Sequence, residues 1–368
     1  MPFDHGNVTC RVCLLPTDLP ADVLKRFEAK AAGSLDSVKD EVQIGWVSGR
    51  HLLERRIDEE TAILGGHLHL CLRQAQRKIP TSLLRAECRM QELAYMAENK
   101  TPVVNRKERK RIKEEVTLNL LPKMPPQLSG TYFTVDAPMK RLYVSATSDK
   151  QLENFLAFFS QTTGIEPIPL GPEMAARELF EANPDAAPPV NYSPELPDGN
   201  AGGTLGQNFL TWLWFLQEET NGELPKTQLG EFSFVIDGPL TFIAEGEGNG
   251  AHESTLRKGA PTISAEAKSA LIVGKKLKRA KIILARAKTE LWNVTIDADT
   301  FVLRGMKLPE GEALEAGAAF EERVINLHVF QALFYALFER YMKEVRDSAK
   351  FAILQKRAKQ WVKERAGK

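Results

Sequence analysis

Residues 80–122 read PTSLLRAECRMQELAYMAENKTPVVNRKERKRIKEEVTLNLLP, a stretch whose periodicity differs from that of its neighbours on both sides. Leu83, Leu84, Met90, Leu93 and Ala97 recur at helical spacing over 80–98, and Ile112, Val116 and Leu120 do so over 106–121. Between them Asn99-Lys-Thr-Pro102 breaks the helix, because proline disfavours helical geometry in the residue before it. Pro122 and the pair Pro125-Pro126 end the second helix. Two helices joined by so short a break predict a helical hairpin.

The flanking segments carry strand signals. Val8–Leu15, Val42–Val47 (with Gly45-Trp46-Val47) and His67–Leu72 read as strands. In the last, Leu68, Leu70 and Leu72 alternate with His67, His69 and Cys71. A helix opens near Asp18, with Pro20 in its first turn and Val23, Leu24 and Phe27 on its apolar face. After the hairpin, Tyr132–Val135 and Arg141–Ala146 flank a turn at Asp136-Ala-Pro-Met-Lys140. Ser148-Asp-Lys-Gln151 is a capping box that opens a helix bearing Leu152, Phe155, Leu156 and Phe159. Ile165–Leu170 reads as a closing strand.

Residues 1–170 therefore predict one α+β domain with the hairpin inserted at about 78–126. Residues 171–231, rich in Pro, Ala, Gly and Asn, read as a linker that ends in the short apolar helix Phe209–Leu216. Residues 232–310 predict a second α+β domain. It comprises a hairpin of Phe232–Ile236 with Leu240–Ala244 around Asp237-Gly-Pro239, a helix capped by Ser264, and strands Lys281–Arg286, Leu291–Ile296 and Phe301–Arg304. Residues 318–368 predict one or two long helices, apolar at first and basic at the end. The expected fold class is thus α+β: two mixed domains with antiparallel sheets, an inserted hairpin and a long C-terminal helix.

The chain has 368 residues, enough for two or three domains. With 43% hydrophobic and 26% charged residues it has an ordinary globular composition. No apolar run approaches the roughly 18–20 residues of a membrane span, and the N-terminus lacks the layout of a signal peptide. A cytoplasmic address is expected. The four cysteines are too few for a disulfide framework. Cys10 and Cys13 form a C-x-x-C, but inside a strand they point to opposite faces, and no second pair completes four ligands. They read as small buried residues. His67 and His69 share a strand face, yet the sequence supplies no partner for a metal.

The net charge is only +1, but its distribution is uneven. Residues 73–123 hold thirteen basic and six acidic residues, and 268–288 hold eight basic residues and no acid. Such clusters attract the phosphates of a duplex, and the counterions they displace supply binding free energy. They equally describe a solvated, salt-bridged face, and composition leaves both readings open. The candidate DNA-binding residues are Arg77, Lys78, Arg106, Lys107, Arg109, Lys110, Arg111, Lys113 and Lys123 in the first cluster. In the second they are Lys275, Lys276, Lys278, Arg279 and Lys281. The absence of interleaved aromatics argues against single-strand stacking, and no zinc-finger or basic-zipper spacing accompanies them.

Catalytic signals are weaker. Gly246-Glu-Gly-Asn-Gly250 follows a strand without opening a G-x-G-x-x-G helix, and Gly274-Lys275 lacks the hydroxyl residue of a phosphate loop. Asp297 and Asp299 would suit the metal-binding carboxylates of a nuclease, but they occupy a tight turn. No catalytic residue, cofactor or metal is assigned.

The order of these features resembles the RdgC family of bacterial recombination-associated DNA-binding proteins. The resemblance rests on Gly45-Trp46-Val47, on Lys78-Ile-Pro80 leading into the charged hairpin, and on Lys113-Glu-Glu-Val-Thr-Leu-Asn-Leu-Leu-Pro122. It continues through Ser145-Ala-Thr-Ser148, Gly164-Ile-Glu-Pro-Ile-Pro-Leu170, Ile263-Ser264-Ala-Glu266 and Gly274-Lys275 to Leu308. It implies a nucleoid-associated homodimeric ring holding double-stranded DNA in a positive hole, with little sequence preference, and antagonism of the RecA recombinase. The hairpins would be the tips that meet across the ring, and the C-terminal domains would meet at its base. Lys123-Met124-Pro125-Pro126 departs from the family, which carries an aromatic residue shortly after Leu-Leu-Pro. The segment 171–231 and the basic tail (Lys350, Lys356, Arg357, Lys359, Lys363, Arg365, Lys368) depart as well. Two other classes stand beside this reading, a metal-dependent DNA nuclease and a scaffold that uses the apolar 320–342 helix.

Overall fold

The computed structural model describes residues 3–366 other than 40, 198, 200, 245–251 and 288. The chain begins with β1 (Val8–Leu14), α1 (Val23–Ala29), β2 (Gln43–Ser48), α2 (Glu59–Ala62), β3 (Ile63–Leu64) and β4 (His67–Arg77). Next come α3 (Thr81–Glu98), α4 (Arg106–Leu120), β5 (Pro126–Asp136), β6 (Arg141–Val144), α5 (Asp149–Thr163) and β7 (Ile168–Pro169). Then follow α6 (Pro172–Phe180), α7 (Leu205–Glu219), β8 (Phe232–Ile243), β9 (Glu253–Leu256) and α8 (Ala265–Ile272). The chain ends with β10 (Lys276–Arg286), β11 (Glu290–Asp297), β12 (Leu303–Lys307), α9 (Ala316–Arg346) and α10 (Ser348–Ala366). The α+β class with antiparallel pairing and the inserted hairpin are those expected. No helix among the described residues is long and apolar enough to cross a membrane.

Two compact units share the chain. Met1–Pro20, Ile63–Leu68 and Tyr132–Lys368 form the larger, and Ala21–Ala62 with His69–Thr131 the smaller. This division differs from the boundaries drawn at 170, 231 and 310, because strand pairing ignores sequence distance. The start of β1 pairs with β12 and its end with β6, so the first strand of the chain joins the last. The larger unit's sheet continues from β12 through β11, β10 and β8 to β9.

The expected linker is instead core. In α7 every residue from Gly206 to Leu216 is buried, and Val190 and Tyr192 ahead of it are buried too. The helix packs on β8 and β10 and under α9, whose Val324, Leu327, Phe334 and Phe338 belong to the same cluster. Its indoles are satisfied: Trp212 Nε1 donates to Glu344 at 3.0 Å and Trp214 Nε1 to Glu218 at 2.9 Å. The apolar helix 320–342 therefore covers this chain's own sheet, which removes the observation behind the scaffold reading. The N-terminus of α7 docks on the turn after β11. Asp299 accepts hydrogen bonds from Thr204 Oγ1 and Gln207 Nε2, both at 2.8 Å. A Cβ on Gly206 would stand 1.8 Å from the Ala298 carbonyl, so only glycine permits this approach.

The hairpin expected at Asp237-Gly-Pro239 is absent, and β8 runs through it as one strand. Both halves pair with β10, Asp237 opposite Lys281 and Thr241 opposite Arg279, so four positions face two and the excess forms a bulge. A bulge is one of the few places in a sheet that tolerates proline. The closing strand expected over 165–170 shrinks to Ile168–Pro169.

In the smaller unit β2 pairs antiparallel with β4, Trp46 opposite Leu72. On the other side of β2, Trp46 N donates to Lys30 O at 3.0 Å and Ala32 N to Trp46 O at 2.8 Å. A Cβ on Gly45 would lie 2.4 Å from Ala32 Cα, which explains the glycine in Gly45-Trp46-Val47. Trp46 is fully buried, edge-on to Phe27 at 5.0 Å. Arg73 is buried and donates to the carbonyls of Gly33 and Leu52. The helices α3 and α4 share a small core of Val104, Ile112 and Val116 with Leu84, Cys88, Tyr95, Met96 and Leu120. Asn105 caps α4 by accepting from Glu108 N at 2.9 Å.

Candidate nucleic-acid interface

Side chains step about 100° per residue around a helix, so a helix's faces follow from which residues meet its neighbour. On α3, Leu84, Cys88 and Tyr95 pack toward α4. A quarter-turn away lie Arg85, Arg89 and Glu92, and opposite the contact lie Leu83, Ala86, Met90, Leu93 and Ala97. On α4, Ile112 and Val116 face α3, and Arg106, Arg109, Lys110 and Lys113 lie to one side. The ion pairs of Glu92 with Arg89 (3.3 Å) and Arg109 (3.9 Å) show that these two flanks are the same side of the hairpin. The other side gathers Glu87 and Glu98 from α3 with Glu108 and Glu115 from α4. The hairpin is thus two-sided, basic on one flank and acidic on the other, with the α3 apolar stripe between them on the outer surface.

The nine hairpin residues expected to bind DNA do not all share that basic side. Arg106, Lys107 and Lys113 are exposed and have no ion-pair partner among the described residues. Arg109 shares Glu92, and Lys110 lies 3.7 Å from Glu114. Arg111 turns to the acidic side and reaches both Glu108 and Glu115 at 2.8 Å; the hydrogen bond to Glu108, then the two carboxylate charges, raise its pKa. Lys78 and Lys123 are exposed at the base of the hairpin. Arg77 is engaged by the fold, donating to the carbonyls of Val38 (2.8 Å), Pro122 (3.1 Å) and Met124. Arg85 and Arg89 were missing from the sequence-derived set. Their signal was present as a helical angle on α3, but it has no meaning until the α4 contact fixes which side is which.

The second basic cluster changes character on folding. Lys276 points inward, 3% exposed, where its ammonium donates to Val190 O and to Asn208 Oδ1 (3.1 Å) and lies 4.5 Å from the Tyr192 ring centroid. This corrects the expectation that it faces phosphate. Lys278 pairs with Glu253 at 2.8 Å, Arg279 with Asp297 at 2.8 Å and Lys281 with Asp237 at 3.2 Å. The carboxylates come from β9, β11 and β8, far away in sequence. Hydrogen bonding to Lys278 lowers the Glu253 pKa, and hydrogen bonding to Asp297 raises that of Arg279. Lys275 is half-buried, its Nζ 3.4 Å from Ser254 Oγ. Within this basic run Lys278, Arg279 and Lys281 have become a cross-strand ladder of ion pairs.

The remaining candidate chemistry is committed to structure. Asp297 accepts from Arg279 and from Thr300 Oγ1 (3.2 Å), while Asp299 anchors α7. Among the described residues no three or more His, Cys, Asp and Glu side chains converge as a metal site. Gly274-Lys275 ends α8 and leads into β10, the reverse of the strand–loop–helix order of a phosphate loop. Gly246–Gly250 lies outside the described residues. Cys10 and Cys13 are buried, and desolvation pushes both thiols up to about 12. His67 meets Val135 O through Nδ1 at 3.2 Å, and His69 is buried with its ring close under Gly49.

Residues 16–180 match the family model described as "Putative exonuclease, RdgC". Three relatives, each named Recombination-associated protein RdgC, illustrate the likeness. The protein of Psychromonas ingrahamii is 27% identical over 157 residues, covering 42% of this chain and 49% of the relative. That of Tolumonas auensis is 24% identical over 155 residues, with coverage of 42% and 49%. That of Yersinia enterocolitica is 25% identical over 147 residues, with coverage of 39% and 45%. The alignments thus span about half the length of these relatives. Through residues 16–180, which hold the hairpin and both of its charged flanks, this chain is similar to the RdgC family.

Proposed function

We propose that this protein binds double-stranded DNA through its backbone, without reading base sequence, as a homodimer closed around the duplex. By occupying duplex DNA it would restrain RecA-dependent recombination. The supporting observation is the segregation of charge on the hairpin. Arg85, Arg89, Arg106, Arg109, Lys110 and Lys113 line one flank while Glu87, Glu98, Glu108 and Glu115 line the other. A polyanion is attracted to the first and repelled by the second, so the hairpin is oriented as it docks. No side chain on the basic flank is placed among aromatics or on a reading helix, and phosphate contacts alone carry no sequence information.

The second copy is supported by the α3 stripe. Met90 and Leu93 are 54% and 50% exposed, with Leu83, Ala86 and Ala97 in line. A two-fold contact along this stripe, with the axis running from the acidic to the basic flank, keeps both basic flanks on one side. Two hairpins then make one continuous cationic surface. On the larger unit Val235 on β8 and Leu291 on β11 are further exposed apolar side chains. Met90→Glu with Leu93→Glu is expected to yield a monomer or a loosened dimer by light scattering at micromolar concentration, with the melting temperature nearly unchanged. An unchanged dimer would move the contact elsewhere.

Binding of this kind requires no catalysis. DNA is expected to survive long incubation with the protein and magnesium or manganese. Asp297→Asn with Asp299→Asn should lower thermal stability, by loosening Arg279 and the α7 N-terminus, and leave DNA intact as before. Cleavage by the parent protein that vanishes in this variant would replace the binding function by a nuclease.

A further inference from the structure

Glu92 is the single carboxylate between α3 and α4 on the basic flank. Its Oε2 lies 3.3 Å from Arg89 and its Oε1 3.9 Å from Arg109. Its side chain is only 18% exposed, whereas those of Arg89 and Arg109 are 62% and 55% exposed. The acid therefore sits beneath two outward guanidinium groups rather than beside them. No apolar packing or helix cap requires a carboxylate there: α3 is capped at its end by Asn99 donating to Tyr95 O, and the hairpin core lies on the adjoining face.

We propose that Glu92 tunes DNA affinity as a positioning residue, joining Arg89 and Arg109 across the two helices while cancelling part of the charge they offer to phosphate. This inference rests on the DNA-binding function proposed above. Among the described residues Arg85, Arg106 and Lys113 have no such partner, and they supply the contacts already available. The two arginines over Glu92 form a reserve: a phosphate can recruit them only in competition with a carboxylate already in place. The hairpin thereby favours contacts that exchange readily over the tightest hold it could make. A protein that must move along duplex, or leave it, benefits from such a brake.

The test is a salt titration of duplex binding with Glu92→Gln. Glutamine keeps the size of the side chain and one acceptor oxygen but removes its charge. Each arginine released to phosphate steepens the dependence of log affinity on log salt by about 0.9. With both released, the variant is expected to gain affinity by roughly tenfold on going from about 200 mM to about 50 mM salt, beyond the parent's own gain. Glu92→Asp should stay near the parent, and Glu92→Gln combined with Arg89→Gln and Arg109→Gln should cancel the gain. A gain in affinity cannot come from damage to the fold, and melting curves verify that the variants are folded. Unchanged or weaker binding by folded Glu92→Gln, while Arg106→Gln with Lys113→Gln still weakens binding, would overturn this inference alone. If neither variant alters binding, the DNA-binding function of the hairpin falls as well.

Discussion

Replacing Arg106, Lys110 and Lys113 together by Gln is expected to weaken duplex binding by about ten- to a hundredfold at about 0.1 M salt and to flatten the salt slope by up to about 2.7. The three side chains lie within one arc of α4, and all are exposed. Arg106 and Lys113 have no ion-pair partner among the described residues, and the Glu114 contact of Lys110 is long and exposed, worth little against a phosphate. The loss should be the same for every duplex sequence, because no base edge is involved. The informative comparison is on the sheet of the larger unit. There, Lys278→Gln with Glu253→Gln and Lys281→Gln with Asp237→Asn remove two ion pairs without altering net charge. That variant should bind DNA as the parent does. If it loses as much affinity as the hairpin variant, or if the hairpin variant retains its slope, the interface has been assigned to the wrong surface.

The sequence made the hairpin legible because local signals specify it: a 3.6-residue period, the break at Asn99-Lys-Thr-Pro102, and the prolines that end it. The α+β class and most strands were legible for the same reason. Three features were not, and each depends on contacts distant along the chain. The segment 171–231 is rich in Pro and Gly, yet Val190, Tyr192 and Gly206–Leu216 of α7 lie in the core because β8, β10 and α9 close over them. Asp237-Gly-Pro239 has turn chemistry, but β10 offers both halves of β8 a partner and the turn becomes a bulge. Charge was the least legible. Counting along the chain gave 268–288 a strong positive balance, and the sheet returned Glu253, Asp297 and Asp237 to it from other strands. The hairpin kept its charge pattern because on a helix the neighbours that matter are three and four residues away. Even there the basic flank could be completed with Arg85 and Arg89 only once Glu92 was seen to touch Arg109.

Lys276→Met is expected to destabilise the larger unit by about 2–4 kcal/mol while leaving the affinity and salt slope of the folded protein unchanged. Methionine retains most of the aliphatic stem, which matters because a Cβ on the neighbouring Gly203 would already stand 2.9 Å from Lys276 Cγ. What disappears is the ammonium, and with it the donor to Val190 O and Asn208 Oδ1 and the cation over Tyr192. The Val190 carbonyl is then left in a buried setting without this partner, at a cost of about 1–3 kcal/mol. Asn208 is tied further, through Nδ2, to the carbonyls of Gly202, Gly203 and Thr204, so the disturbance reaches the cap of α7. Relief from burying a positive charge offsets part of this loss, which keeps the estimate below that for breaking a buried ion pair. Thermal unfolding followed by circular dichroism should show a melting temperature lower by several degrees. Duplex titrations at two salt concentrations, run well below that temperature, should superimpose on those of the parent. An unaltered melting temperature together with a slope flatter by about 0.9 would mean that Lys276 leaves Val190 and Asn208 and reaches phosphate after all.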